Sequence, residues 1–138
     1  GSVVTWGDTY LGGDSHAVQE QLKDVQHIQA TSDAFAAILG GGSVVTWGFA
    51  ESGADSSAVQ TQLKNVKQIQ ATCFAFAAML DDGSVVTWGN PNFGGESHAV
   101  QAHLKNVQHI QAGPGAFAAI LEGGSVVTWG EPKLMALL

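Results

Sequence analysis

The heptapeptide Gly-Ser-Val-Val-Thr-Trp-Gly occurs four times, beginning at Gly1, Gly42, Gly83 and Gly124, with a 41-residue spacing and no insertion or deletion. Superposing residues 1–41, 42–82 and 83–123 leaves about 23 of the 41 columns identical, the signature of one supersecondary unit stacked in tandem. The array occupies residues 1–130, with a fourth unit begun at Gly124, and residues 131–138 form a tail outside the frame. Such a unit buries most of its surface against its neighbours, so columns shared by all copies report folding. Function is to be sought where the copies differ.

Within each copy, Ser-Val-Val-Thr-Trp is a β-branched and aromatic run between glycines, which predicts short strands over 43–47, 84–88 and 125–129. Val3 and Thr5 alternate with Val4 and Trp6 without a distinctly polar side, so the strand is expected to be covered on both faces. The runs Ala34 to Leu39, Ala75 to Leu80 and Ala116 to Leu121 lead through a Gly- or Asp-containing turn into the next heptapeptide, which reads as a hairpin. Their alanines predict a crowded place where neighbouring units converge.

Between hairpins the period changes. Val18, Leu22 and Val25 lie at i, i+4 and i+7, predicting a short helical turn over Ala17 to Lys23 with Ser15 as its N-cap, and an extended segment from Val25. The glycine after each Trp marks the exit from the strand. The four residues beyond it vary completely: Asp8-Thr9-Tyr10-Leu11, Phe49-Ala50-Glu51-Ser52 and Asn90-Pro91-Asn92-Phe93. Variation inside a fixed frame is the pattern of a recognition surface, which makes Asp8, Tyr10, Phe49, Glu51, Asn90, Asn92 and Phe93 candidate partner-binding residues.

The string Gly-x-Val-x-x-Trp-Gly, a later Gly-Gly stretch, Val-x-x-Ile-x-Ala, a small-residue turn, x-Phe-Ala-Ala-Ile-Leu and Asp-Gly or Gly-Gly resembles the repeat of RCC1-like β-propellers, over the chain to Gly130. The 41-residue unit is shorter than the usual RCC1 blade. It is similar to blades of the bacterial β-lactamase-inhibitor propeller and, in wording, to the RCC1- and HERC-like tandem arrays of dinoflagellate algae. The resemblance implies blades of three or four antiparallel strands serving as a protein-interaction platform, and carries no reaction with it. HERC-type ligases need a separate catalytic domain, and the ultraviolet-receptor relative sets its tryptophans beside arginines. With no arginine here, Trp6, Trp47, Trp88 and Trp129 are expected to be structural. The expected fold is mainly β, a partial propeller arc of about three blades, with an open solenoid or a closed three-fold β body as alternatives.

Charge and composition bear on partners. The net charge is −7, and the basic residues are five lysines, Lys23, Lys64, Lys67, Lys105 and Lys133, so phosphate neutralisation and base-edge readout by arginine are both lacking and nucleic acid is an unexpected partner. Charged residues make up only 12% of the chain while 45% are hydrophobic, which predicts surface covered by protein partners or further repeats. The start inside the motif without Met points to a cut in a longer array. No apolar run is long enough to span a bilayer, and the sequence names no compartment.

No catalytic, cofactor or metal constellation is expected. His16 and His98 share one column and His27 and His109 another, but Ser57 and Gln68 intervene, and ligands drawn from alternate units are not expected to meet within the roughly 2 Å of a shared ion. Asp81, Asp82 and Glu122 are expected at turns for backbone reasons. Cys73 varies with Ser32 and Pro114, and the glycine clusters lack the phosphate-loop pattern. Leu134, Met135, Leu137 and Leu138 in the tail are expected to dock on the last unit or on a partner. The functional expectation is a non-enzymatic interaction or structural module, an accessory segment of a larger assembly; the alternative is a regulatory or inhibitory binder acting through the variable loops.

Overall fold

A computed structural model describes residues 1–130; the tail residues Leu134, Met135, Leu137 and Leu138 lie outside the described residues. Nine strands form three separate sheets: β1 (Val25–Ala30), β2 (Ala34–Leu39) and β3 (Val44–Gly48); β4 (Val66–Ala71), β5 (Ala75–Leu80) and β6 (Val85–Gly89); β7 (Val107–Ala112), β8 (Ala116–Leu121) and β9 (Val126–Gly130). Each sheet is an antiparallel meander in chain order, with the Ala-rich strand central. The predicted Val-Val-Thr-Trp strands are present one residue later than expected, hairpin-paired with the Phe-Ala-Ala runs in the register Phe35↔Trp47, Phe76↔Trp88 and Phe117↔Trp129. The extended segment expected from Val25 is also a strand. Its bulge between Val25 and His27, repeated in the other two sheets, left no mark in the sequence pattern.

Each sheet takes its first two strands from one repeat and its third from the next. Residues 1–7 consequently have no strand to pair with among the described residues, and the heptapeptide that is a strand three times is not one here. The sequence alone treats all four copies alike; strand formation depends on an Ala-rich neighbour that, among the described residues, only the later three have.

Sheets stack face to face, which buries the central strand of the middle sheet on both faces, while β8 keeps one face open at Ile120. Ala34, Ala36, Ile38 and Val44 of the first sheet pack on Val66, Ile69, Phe76 and Trp88 of the second. The second meets the third through Ala75, Ala77, Met79 and Val85 against Val107, Ile110, Phe117 and Trp129. The central-strand alanines are 0–1% exposed in the first two sheets, as crowding predicted. A Cβ is the largest group that lets an opposing Phe and Trp reach the strand backbone. Full burial of one such Phe contributes about 1.5–3 kcal/mol.

The helical turn expected over Ala17 to Lys23 is present as a 3-10 turn with different bounds: His16–Val18 in the first unit, Gln60–Gln62 in the second and a longer His98–His103 in the third. Ser15 occupies the N-cap position without a side-chain cap bond. Its hydroxyl pairs instead with Thr5 Oγ1 at 2.8 Å and accepts from Gln19 Nε2 at 2.7 Å, while Gln19 Nε2 also donates to the Val3 carbonyl. The trio recurs as Thr46, Ser56 and Gln60 and, with Ser97 Oγ now donating to Gln101 Oε1, as Thr87, Ser97 and Gln101. It pins residues 1–7, β3 and β6 each to the connection that follows, and does so for residues 1–7 without a sheet. The i, i+4, i+7 spacing therefore reflects packing of Leu22, Leu63 and Leu104, each 1–3% exposed, under a turn that the trio locks.

Candidate functional site: a rim of variable turns

The connections after β3 and β6 and the β1–β2, β4–β5 and β7–β8 turns lie at one end of the sheets. Backbone bonds fix this: Phe49 N donates to Asp33 O, and Asn90 N to Phe74 O. Thr31 Oγ1 donates to the Ser52 carbonyl at 2.9 Å, and Thr72 Oγ1 to that of Phe93 at 2.8 Å. Two sets of variable turns thereby form one rim. The sequence flags the first set, 8–11, 49–52 and 90–93. It shows variation in the second, Thr31-Ser32-Asp33, Thr72-Cys73-Phe74 and Gly113-Pro114-Gly115, but without the fold the two sets cannot be joined.

The first set forms 3-10 turns, Thr9–Leu11, Ala50–Ser52 and Pro91–Phe93. Asp8 and Asn90 cap theirs, accepting from Tyr10 N at 2.9 Å and Asn92 N at 3.0 Å, whereas Phe49 has no such side chain to offer. Tyr10 is 80% exposed and Phe49 is 43% exposed. Glu51 and Asn92 also face solvent. Phe93 is half-buried, its ring edge-on to Phe74 with centroids 4.7 Å apart, so it shapes the rim as much as it offers contact. Asp8, Tyr10, Phe49, Glu51 and Asn92 thus reach the surface, and Asn90 and Phe93 do so in part.

Beneath the rim the frame is constant. Each 3-10 turn ends on a left-handed glycine, Gly12, Gly53 or Gly94, whose carbonyl accepts the indole N–H of the following sheet: Trp47 at 3.2 Å, Trp88 at 2.9 Å and Trp129 at 3.1 Å. At Gly53, φ is +107° and a Cβ would stand 2.5 Å from the Phe76 ring, so only glycine fits. Phe76 in turn lies against Trp88 with centroids 5.3 Å apart. Trp47, Trp88 and Trp129 are 4–5% exposed, and Trp6, which has no preceding glycine or Phe, is 84% exposed. All four stand in the same sequence context; neighbours decide their surroundings.

Adjacent blades are also joined by backbone bonds along the inner side of the rim: Ser32 N donates to Cys73 O, and Cys73 N to Pro114 O, each at 2.8 Å. Pro114 has no N–H to pass on, and Gly113 lacks the hydroxyl of Thr31 and Thr72. Cys73, half-buried, is a link in this ladder.

The histidine and acidic columns fall elsewhere. His27 and His109 lie on first strands beside a groove of about 430 Å³ that Lys67 and Gln68 also line. Asp82 sits at the opposite end of the sheets, in the β5–β6 turn, accepting from Ser84 N at 3.0 Å and Ser84 Oγ at 2.6 Å. The Ser84 hydroxyl, and then its N–H, holds the Asp82 carboxyl below its ordinary range, and Ser57 does the same for Asp55. This is turn chemistry. Among the described residues no helix is long and apolar enough to cross a membrane.

Three antiparallel sheets packed face to face, with first strands adjacent along one side, define a class: a partial β-propeller arc of three blades, without a closed barrel. No protein-family model and no curated protein sequence matches the chain. Solved structures do. Prp20p from Saccharomyces cerevisiae, in a structure concerned with its binding to Gsp1p and histones, aligns at a TM-score of 0.62 and 18% identity, over 91% of this chain and 39% of that one. Human WBSCR16 aligns at 0.56 and 20%, over 87% and 36%. Yeast RCC1 (Prp20) bound to Kap60 aligns at 0.53 and 17%, over 77% and 29%. The fold is that of RCC1-like propeller blades, and the chain spans well under half the length of the structures it matches.

Proposed function

We propose that the chain is a non-enzymatic protein-interaction or structural module, an accessory segment of a larger multi-subunit assembly that turns its variable rim to a protein partner. The carrying observation is that both sets of variable turns share one rim over a frame that repeats bond for bond. Rigid positioning by constant elements and chemical variety at the tips is how a repeat scaffold makes a specific contact. A protein partner is supported by the net charge of −7 without arginine, and by the binding of Gsp1p, histones and Kap60 named for the structural neighbours. Leu134, Met135, Leu137 and Leu138 belong to the same proposal as an apolar second contact.

The test replaces residues 8–11 and 49–52 with the third-unit sequence Asn-Pro-Asn-Phe and, separately, deletes residues 131–138. Co-purifying proteins are then quantified by mass spectrometry beside the unaltered chain. Loss of a specific partner with an unchanged circular dichroism melt is expected for the turn swap. An identical partner set in both variants overturns the reading.

A further inference from the structure

At the first blade, Val3, Val4, Trp6, Ile28, Phe35 and Trp47 line an open slot of about 220 Å³. In the two interior junctions the equivalent ground is filled: Phe76 and Phe117 are 0–1% exposed, Ile69 and Ile110 1–2%, whereas Ile28 is 40% exposed and Phe35 half-buried. The filling comes from the preceding blade's central strand, through Ala34, Ala36 and Ile38 or Ala75, Ala77 and Met79. At the other end of the array the same columns recur as Ala116, Ala118 and Ile120, beside Val126. There Ile120 is 40% and Val126 58% exposed. The described residues therefore present both halves of a junction that they already make twice.

We infer that a second copy of this chain docks head to tail, its third blade seated on the first blade of its neighbour, and that β9 of the incoming copy takes the place of residues 1–7. The two segments share the sequence Gly-Ser-Val-Val-Thr-Trp-Gly, so identical groups remake the bonds given up, except that of the Gly1 ammonium to the Val25 carbonyl, because Gly124 N already donates to Leu121 O. Thr5 leaves the Gly13 carbonyl and Ser15 hydroxyl, and Thr128 takes its place, as Thr46 does with Ala54 and Ser56 inside the chain. Residues 1–7 are the strand that yields. They break no sheet ladder in leaving, and Val4 and Trp6 are already 79% and 84% exposed, while β9 is paired along its length and Trp129 is 5% exposed. The net change is burial of two apolar blade faces. A surface that meets a different surface on its partner makes an open chain, or a ring if the rotation closes. One bond of the interior junction is lost, because the incoming Pro114 has no N–H to donate to the receiving copy's Ser32 carbonyl, as Ser32 and Cys73 do to their neighbours.

The inference concerns the blade ends and stands apart from the rim's partner. Light scattering on the 138-residue chain over a dilution series should show mass rising with concentration to dimer or beyond. Deleting residues 1–7 should tighten association, since nothing then has to leave, and Pro114→Ser should tighten it about fivefold by restoring one hydrogen bond. In a Cys73→Ser background, mixing Thr128→Cys chains with Ser15→Cys chains should give a disulfide dimer that neither yields alone. A monomer at every concentration overturns the inference. So does association that the deletion abolishes while the shortened chain still melts cooperatively, because residues 1–7 would then be the glue. Association without the Thr128–Ser15 crosslink, in variants that keep the parent melt, places the contact elsewhere and overturns it too.

Discussion

Trp88 and Trp6 have the same sequence on either side and opposite surroundings, which makes the pair a controlled comparison of what an indole contributes. Trp88 donates to the buried Gly53 carbonyl and packs on Phe76; Trp6 is 84% exposed. Trp88→Phe is expected to lower unfolding free energy by about 1–3 kcal/mol, since it leaves a buried acceptor unmatched and shrinks a packed ring. Trp6→Phe should leave it within about 0.5 kcal/mol. Urea melts of the two variants check this, and equal effects would contradict the packing. Gly53→Ala should cost more than either, with a left-handed φ and a Cβ 2.5 Å from the Phe76 ring, and its melting temperature reads the loss. The glycine column was visible in the sequence as a shared position. Its target was not, because Gly53 and Trp88 lie 35 residues apart and only the stacking of blades brings them together.

The three-stranded blade was largely legible: β-branched runs, Ala-rich runs and turn glycines each follow from local chemistry. The connection was not. Ser, Ala, Val, Gln and Leu at helical spacing satisfy the rules for an amphipathic turn, and nothing local reveals that Ser15 and Gln19 serve the strand behind them instead of capping a helix ahead. Thr87→Val is therefore expected to destabilise by about 0.5–1.5 kcal/mol through the strand anchor, with β6 amides showing faster hydrogen exchange. The turns carry a pH signature. The carboxyls of Asp55 and Asp82 are held below the ordinary carboxylate range by serine donors, so their contribution is present above the unfolded value and lost as pH falls through the depressed folded one. The stability difference between the parent chain and Asp82→Asn should accordingly be flat near neutral pH and change only below about pH 4. Denaturant midpoints at stepped pH measure it, and a change centred near neutrality would point to a histidine instead.

Across the whole molecule, burial is graded by position in the array. Every residue of β5 but the last is buried, whereas β1 is exposed over all but its first residue. In a stack where each blade leans on its neighbours, amide exchange should be slowest in β5 and fastest in β1, and uniform protection would show that a blade is stable without partners. The arc itself was foreseen from the repeat. Its rim was only half foreseen, since the Thr31, Thr72 and Gly113 turns become part of one surface with residues 8–11, 49–52 and 90–93 only once each third strand has folded back beside them.

The blade that straddles two repeats bears on how such a gene can grow. Because the third strand of every sheet is supplied by the following unit, and because that strand is spelled identically at each joint, a duplicated stretch of one period can be spliced in at any point without leaving a half-built sheet. The newcomer's heptapeptide completes the sheet in front of it and hands the old one on to the sheet behind. Recombination between misaligned copies thus yields a longer or shorter array that folds at once, and the coding sequence is free to change its blade number faster than its blades.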